Sequence, residues 1–148
     1  MRGWGLSARR SSAGTRYKDW FGRVVLFGVF VNITLALPTV FFPNFVLGLM
    51  RVPLTHEPMW ANFAAFLLIL LSLSYIPGAI DPVRYRAGAW HSVIARLGGA
   101  LFFLVTPFRH DWALFGLIDL TFFVSEGILL AMAEHASAAA EAAGLRGR

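Results

Sequence analysis

Four long apolar stretches alternate with short polar segments along the chain. They cover residues 20–42, 60–80, 89–108 and 112–132. A helix needs about 20 mostly apolar residues to cross the ~30 Å hydrocarbon core of a bilayer, and each stretch reaches this length. None shows the strict alternation of a barrel strand, and backbone groups in lipid must otherwise bond within their own helix. The pattern predicts an all-α fold, a polytopic membrane protein with a four-transmembrane-helix bundle.

Residues at the ends of these stretches support their limits. An indole ring favours the headgroup region, and a tryptophan begins or nearly begins each predicted span. These tryptophans are Trp20, Trp60, Trp90 and Trp112. Proline and glycine favour helix ends. They predict that the first helix ends at Pro38 and Pro43, and the second at Pro77, Gly78 and Asp81-Pro82.

The distribution of cations predicts how the spans are oriented. Ten of the 13 Lys and Arg residues fall on one side of the membrane if the N-terminus is cytoplasmic. Only Arg51 and Arg109 fall on the other side, and Arg96 lies within a span. Cytoplasmic segments are enriched in Lys and Arg, so we expect both termini to be cytoplasmic.

Composition divides the chain into three parts. Residues 1–19 form a basic arm, rich in Gly, Ser and Arg, that we expect to be flexible. Residues 20–132 form the transmembrane domain. Residues 133–148 form an Ala-rich tail suited to extend the fourth span as a helix. The apolar stretch 45–50 is too short to span a bilayer and predicts an interfacial half-helix.

Several kinds of chemistry are not predicted. The chain has no cysteine, which excludes disulfides, thiolate nucleophiles and Cys-ligated metals within it. Its net charge of +5 sits beside membrane segments rather than on a polar domain, so nucleic acid is not an expected partner. Phosphate-binding loops, nucleophile elbows and zinc-protease helices are also missing from the sequence. These missing motifs favour a protein that is not an enzyme.

An intramembrane polar cluster is predicted from Arg96, Asp119 and Glu126. The two acids are seven residues apart and share one face of span four. Counted back from the turn between spans three and four, Arg96 reaches a depth between them. Charges within a span need partners, so an ion pair of Arg96 with either acid is expected. A structural clamp is the favoured interpretation, and a proton path or an anionic-headgroup site is the alternative.

Two asparagines lie on helix faces that carry small residues. Asn32 shares a face with Gly28 and Ala36, and Asn62 shares one with Ala65 and Ser72. Such faces favour close packing and hydrogen bonds between membrane helices.

The loop that follows span two carries Arg84, Tyr85 and Arg86 at the cytoplasmic headgroup level. Anchoring to anionic lipids is the favoured interpretation of this loop. A docking patch for a partner subunit is the alternative, since Arg and Tyr are common interface anchors.

The histidines give only a weak metal signal. His56 and His110 are each followed by an acid just before a span, so a shared metal site on the outer side is conceivable. No ligand-spacing motif supports it, and solvated loop residues are favoured, so no metal is predicted. His91 stands alone near the inner boundary, which argues against a haem held by two histidines.

The layout resembles the small four-helix bacterial membrane proteins grouped around the DoxX-like families. The resemblance rests on Phe42-Pro43, on Leu47-Gly48-Leu49 before Pro53, and on the passage from Tyr75 to Arg86 that leads into a short span with Arg96. It implies a multi-pass protein of the bacterial inner membrane. Some members of these families are associated with quinone-linked redox systems.

These observations lead to two functional hypotheses. The first is a non-catalytic accessory or scaffold subunit of a respiratory or photosynthetic electron-transport complex, with membrane lipids and other integral subunits as partners and no cofactor of its own. The alternative is a DoxX-like redox component that binds a quinone, lipid or pigment near Arg96, Asp119 and Glu126. Ion or proton movement through the same acids is a third, weaker option.

Overall fold

The chain folds into helices joined by short connections. The computed structural model describes residues 4–51, 54, 56–105 and 112–145, and this part of the chain contains no strand. The six helices are α1 (Trp4–Phe41), α2 (Pro43–Leu49), α3 (Pro58–Ser74), α4 (Ile76–Ile80), α5 (Arg86–Val105) and α6 (Ala113–Leu145).

Four segments are long and apolar enough to cross a bilayer. They are Gly14–Phe41, Pro58–Ile80, Arg86–Val105 and Ala113–Gly144. Each overlaps one stretch predicted from the sequence, which confirms the all-helical architecture with four candidate spans. The turn predicted between spans three and four, including Arg109 and His110, lies outside the described residues.

The outer side of this architecture is apolar. Large side chains such as Phe30 (65% exposed) and Phe102 (61% exposed) point away from the bundle. A water-soluble monomer rarely exposes contiguous apolar surface of this kind, whereas lipid is a suitable solvent for it. The structure thus indicates a multi-pass membrane protein.

Pro38 lies inside α1, so the prediction that it ends the first helix is wrong. The helical bonding resumes directly after it, because the amide of Phe42 donates to the Pro38 carbonyl at 2.8 Å. Helix-breaking residues are tolerated in membrane helices when nearby groups satisfy the freed backbone. Pro43 is the residue that ends the helix, since the residue before a proline is held away from helical geometry. Phe42 adopts φ −134° and ψ 58°, and Pro43 then opens α2.

The predicted half-helix after span one is observed as α2. Its inner face packs on the bundle through Val46 and Leu47, which are buried, while Phe45 and Leu49 are exposed. Alternating exposure of this kind is typical of a short helix lying across the end of a bundle, with one face in contact with lipid.

The second span is interrupted at Tyr75. Pro77 has no amide hydrogen and so breaks the regular bonding, and α3 therefore ends at Ser74 before α4 continues to Ile80. Asp81 ends the span, as predicted. Its carboxylate accepts hydrogen bonds from the amides of Val83 (3.3 Å) and Arg84 (3.2 Å), which fixes the turn into α5.

Both terminal helices extend beyond the predicted spans. α1 has 38 residues and begins at Trp4, within the arm expected to be flexible, while α6 has 33 residues and includes the predicted helical extension. A 33-residue helix is about 50 Å long, well above the thickness of a hydrocarbon core. The two extensions meet, since a methyl group placed on Gly14 would lie 3.3 Å from the Cβ of Ala136.

Packing is uneven along the bundle. The buried core lies toward the end where α4 joins α5 and includes Phe21, Val25, Tyr75, Val93 and Leu130. α1 and α5 both pack extensively on α6, and α4 packs on α5. α3 packs mainly against α1 instead. The half of the bundle near α2 is therefore less completely filled than the half near α4.

Candidate functional site

Arg96 and Asp119 form an ion pair between α5 and α6. The Nη1 atom of Arg96 donates to Oδ1 of Asp119 at 2.8 Å. The Arg96 side chain is 6% exposed and that of Asp119 is 19% exposed. The structure thus places Asp119, of the two acids considered, in direct contact with the guanidinium. Charge-assisted hydrogen bonds of this length are the stronger ones in proteins.

Glu126 lies deeper beside the same arginine. Its Oε1 atom is 3.9 Å from Nε of Arg96, and its side chain is 1% exposed. The neighbouring Ser92 hydroxyl donates instead to the Ala89 carbonyl at 2.9 Å. Neither carboxylate oxygen of Glu126 has a hydrogen-bond partner among the described residues. All three residues predicted as a cluster are therefore together, with one short contact and one long one.

Two glycines make room for this cluster. A methyl group on Gly28 would meet the Nη2 atom of Arg96, and one on Gly99 would meet the Oδ2 atom of Asp119. The face of α1 with small residues, noted from the sequence, thus receives the guanidinium. Phe122 covers it from α6, with its ring centre 4.6 Å from the guanidinium carbon, a geometry suited to cation–π attraction.

Asn32 connects the cluster to α3. Its amide nitrogen donates to the Ser72 hydroxyl at 2.9 Å, and its oxygen accepts a longer hydrogen bond from Arg96 at 3.4 Å. The interhelical bond expected for Asn32 is present. Asn62 differs, because its buried oxygen has no partner within the described part of the chain.

A cavity of about 490 Å³ opens between α3 on one side and α5 and α6 on the other. Its walls are mainly apolar and its polar lining includes Asn32, Tyr75, Arg96 and Asp119. Val46 and Leu47 of α2 line it as well. Glu126 does not line the cavity and lies behind Arg96.

Aromatic side chains line the cavity where α5 and α6 approach each other. Phe103 and Trp112 stack with ring centres 6.2 Å apart, and Phe115 contacts both rings. All three line the cavity. They give it an apolar wall of low conformational freedom.

Tyr75 is a member of the site that sequence reasoning missed. It is 2% exposed, lines the cavity and lies with its ring centre 6.0 Å from the Arg96 guanidinium carbon. The available signal was its position two residues before Pro77, where a break in the span turns a side chain inward.

The structure gives different contacts to the three residues predicted to bind lipid or a partner, which are Arg84, Tyr85 and Arg86. Arg84 stacks on the ring of Tyr85, and both are exposed. Arg86 is instead bound to Glu134 of α6 through two hydrogen bonds, at 2.6 Å and 3.1 Å. The Trp90 indole donates to the same carboxylate at 3.0 Å. Arg86 thus joins the start of α5 to α6.

We expect replacement of Glu134 by Gln to have a small effect on stability. The Arg86 side chain is 68% exposed, and exposed ion pairs contribute at most about 1 kcal/mol. Unfolding of Glu134→Gln in mixed micelles should therefore match wild type to within about 1 kcal/mol. Tryptophan emission should still change, because Trp90 loses its carboxylate acceptor. A much larger loss of stability would contradict this assignment.

The structure does not describe the predicted pair of His56 and His110 together. His56 is exposed in the connection before α3, whereas His110 lies outside the described residues. Within the described ranges, no group of three or more His, Asp and Glu side chains could hold a metal ion. His91 makes an edge contact with the Tyr75 ring at 5.7 Å.

Comparisons of this chain with family models, with curated proteins and with solved structures give no match. The DoxX-like resemblance therefore stays a prediction, and the functional argument rests on the site itself.

Proposed function

We propose that this protein binds a small amphiphilic molecule of the bilayer, of the quinone, lipid or pigment type, in the cavity beside Arg96 and Asp119. The observation that carries the proposal is the cavity itself. Its volume of about 490 Å³ falls within the range of ligand pockets, roughly 300–1,000 Å³. Mainly apolar walls with a few convergent polar groups are also typical of such pockets.

The arrangement of the walls supports an amphiphile. The aromatic group Phe103, Trp112 and Phe115 gives an apolar surface for rings or chains, and Asn32, Tyr75 and Asp119 offer hydrogen bonds. A molecule with an apolar body and a polar end satisfies both regions at once. Because α3 packs mainly on α1, the gap between α3 and α5 offers an entry from the hydrocarbon region.

A matched pair of leucine variants tests the proposal. Leu68 lines the cavity, whereas its neighbour Leu67 is exposed on the outer surface. We expect Leu68→Trp to fill the cavity and abolish ligand binding, and Leu67→Trp to leave it unchanged. The measurement is mass spectrometry of an organic extract of each full-length protein, purified from native membranes in mild detergent.

The expected result is one amphiphile close to one per chain in wild type and Leu67→Trp, and its loss in Leu68→Trp. Equal amounts in all three proteins would show a molecule bound at the outer surface. Absence of any such molecule from wild type would contradict the proposal.

An accessory role in a larger membrane complex is the second candidate. The paired extensions of α1 and α6, which meet at Gly14 and Ala136, favour it because they reach beyond what a span requires. We propose that they lie on the cytoplasmic side with both termini, and that the membrane is the bacterial inner membrane.

Charge reversal of the exposed Arg16 in the α1 extension tests the accessory role. An integral membrane subunit should copurify in fixed ratio with wild type, and Arg16→Glu should reduce it. The matched control is Arg51→Glu, at an exposed arginine that follows α2 at the other end of α1. A lone monomer purified from native membranes would contradict this role.

A further inference from the structure

The cavity and the charged cluster meet at one carboxylate. Asp119 lines the cavity and its side chain is 19% exposed, whereas Glu126 does not line it and is 1% exposed. Arg96 lines the cavity too, but its Nη1 atom already donates to Oδ1 of Asp119. Its Nη2 atom lies against Gly28, on the α1 side.

The charged cluster contains more acidic than basic groups. One guanidinium lies within ion-pair distance of two carboxylates, at 2.8 Å and 3.9 Å. An added anion would therefore meet a cation that is already paired and two acids of its own sign. In a region of low dielectric such like-charge contact is strongly unfavourable. The alternative interpretation of the cluster as an anionic-headgroup site does not fit this arrangement.

The Nε and Nη2 atoms of Arg96 have no hydrogen-bond partner among the described residues, but both are fully buried and do not reach a ligand. Asp119 and Tyr75 offer polar atoms instead. Oδ1 of Asp119 accepts the hydrogen bond from Arg96, and Oδ2 can accept one from a ligand. The Tyr75 hydroxyl can donate or accept a hydrogen bond. Both residues line the cavity.

We propose that the ligand's polar end is a hydrogen-bond donor without negative charge, such as a hydroxyl, a phenol or an ammonium group. It donates to Oδ2 of Asp119 and pairs with the hydroxyl of Tyr75. This inference rests on the proposed function, and it narrows the ligand class to uncharged or cationic donors. Carboxylates, sulfonates and phosphates are excluded, and a quinone fits only as the reduced quinol.

Three probes with the same six-carbon chain test the inference. They are 4-hexylphenol, 4-hexylbenzylammonium and 4-hexylbenzenesulfonate, which share a hexylphenyl body and differ in the charge and donor capacity of the polar end. Binding is measured by equilibrium dialysis against the full-length protein in lipid nanodiscs. The Leu68→Trp protein in identical nanodiscs corrects for partition of each probe into lipid.

We expect saturable binding of the phenol and the ammonium probe that is at least tenfold tighter than binding of the sulfonate. Sulfonate binding as tight as that of the phenol would overturn the inference and leave the proposed function standing. No binding of any probe above the Leu68→Trp level would contradict the proposed function as well.

A pair of variants locates the responsible carboxylate. Asp119→Asn removes the acceptor charge that faces the cavity, so it should weaken the ammonium probe and strengthen the sulfonate, each about tenfold. Glu126→Gln removes one charge behind Arg96 and keeps the cavity wall, so the preference for donors should remain. Loss of the preference in Glu126→Gln but not in Asp119→Asn would overturn the assignment to Asp119.

Discussion

Arg96→Ala is expected to be the most destabilising single substitution in the bundle. It removes the cation that pairs with Asp119 and lies beside Glu126, and so leaves one buried and one partly buried carboxylate without a counter-charge. Removing one partner of a buried ion pair costs about 3–5 kcal/mol. The free energy of unfolding in mixed detergent micelles measures this loss.

Two further proteins control this measurement. Arg23→Ala makes the same change at an exposed arginine that stacks on Trp20, and its stability should stay near wild type. In the Arg96→Ala protein, adding Asp119→Asn and Glu126→Gln should restore much of the loss, because neither the buried Glu126 nor the partly buried Asp119 then carries an uncompensated charge. If Arg96→Ala is as stable as Arg23→Ala, the ion pair is not a structural element.

Gly78→Ala is expected to cause the second largest loss of stability, through steric conflict rather than charge. A methyl group on Gly78 would lie 2.5 Å from the Ala89 amide nitrogen and 2.7 Å from the Gly88 carbonyl carbon. These are backbone atoms, which cannot turn aside as a side chain can. Overpacking of this kind costs about 1–3 kcal/mol, and here it would separate α4 from α5.

Gly98 supplies the matched control, since a methyl group there meets nothing within 4 Å. Gly98→Ala should be as stable as wild type or slightly more so, because alanine favours helix. Thermal unfolding of the two variants in the same detergent makes the comparison. A Gly78→Ala protein as stable as Gly98→Ala would mean that α4 and α5 are not in close backbone contact.

The candidate site was partly predictable. Charged side chains within spans are rare and need partners, which singled out Arg96, Asp119 and Glu126. Helical rise alone placed them at one depth, and the structure brings them together. The sequence could not decide which acid accepts the hydrogen bond from Arg96. That choice depends on side-chain distances across two helices, and only Asp119 reaches 2.8 Å.

Tyr75 and the cavity could not be predicted for a different reason. A pocket is space left between helices, and its existence depends on how α3 diverges from α5 while it remains packed on α1. No periodicity in one segment records the distance to another. The local break before Pro77 is visible in sequence, but the direction in which it turns Tyr75 is not.

The two prolines near the end of α1 also separate what the sequence predicts from what the tertiary structure decides. Pro38 and Pro43 carry the same local signal, yet only Pro43 ends α1. Helical bonding is recovered after Pro38 through the Phe42 amide, whereas the chain turns at Phe42 and α2 then packs on the bundle through Val46 and Leu47. The contacts available to the following segment decided between the two residues.

The sequence by itself determined four apolar helices, because transfer of about 20 apolar residues into lipid and internal backbone bonding are properties of each segment alone. Only the tertiary structure decided the cavity, the pairing of Arg96 with Asp119 and the sheltered position of Glu126. Those features depend on the spacing and rotation of helices relative to one another. They arise from packing between segments, which no single segment encodes.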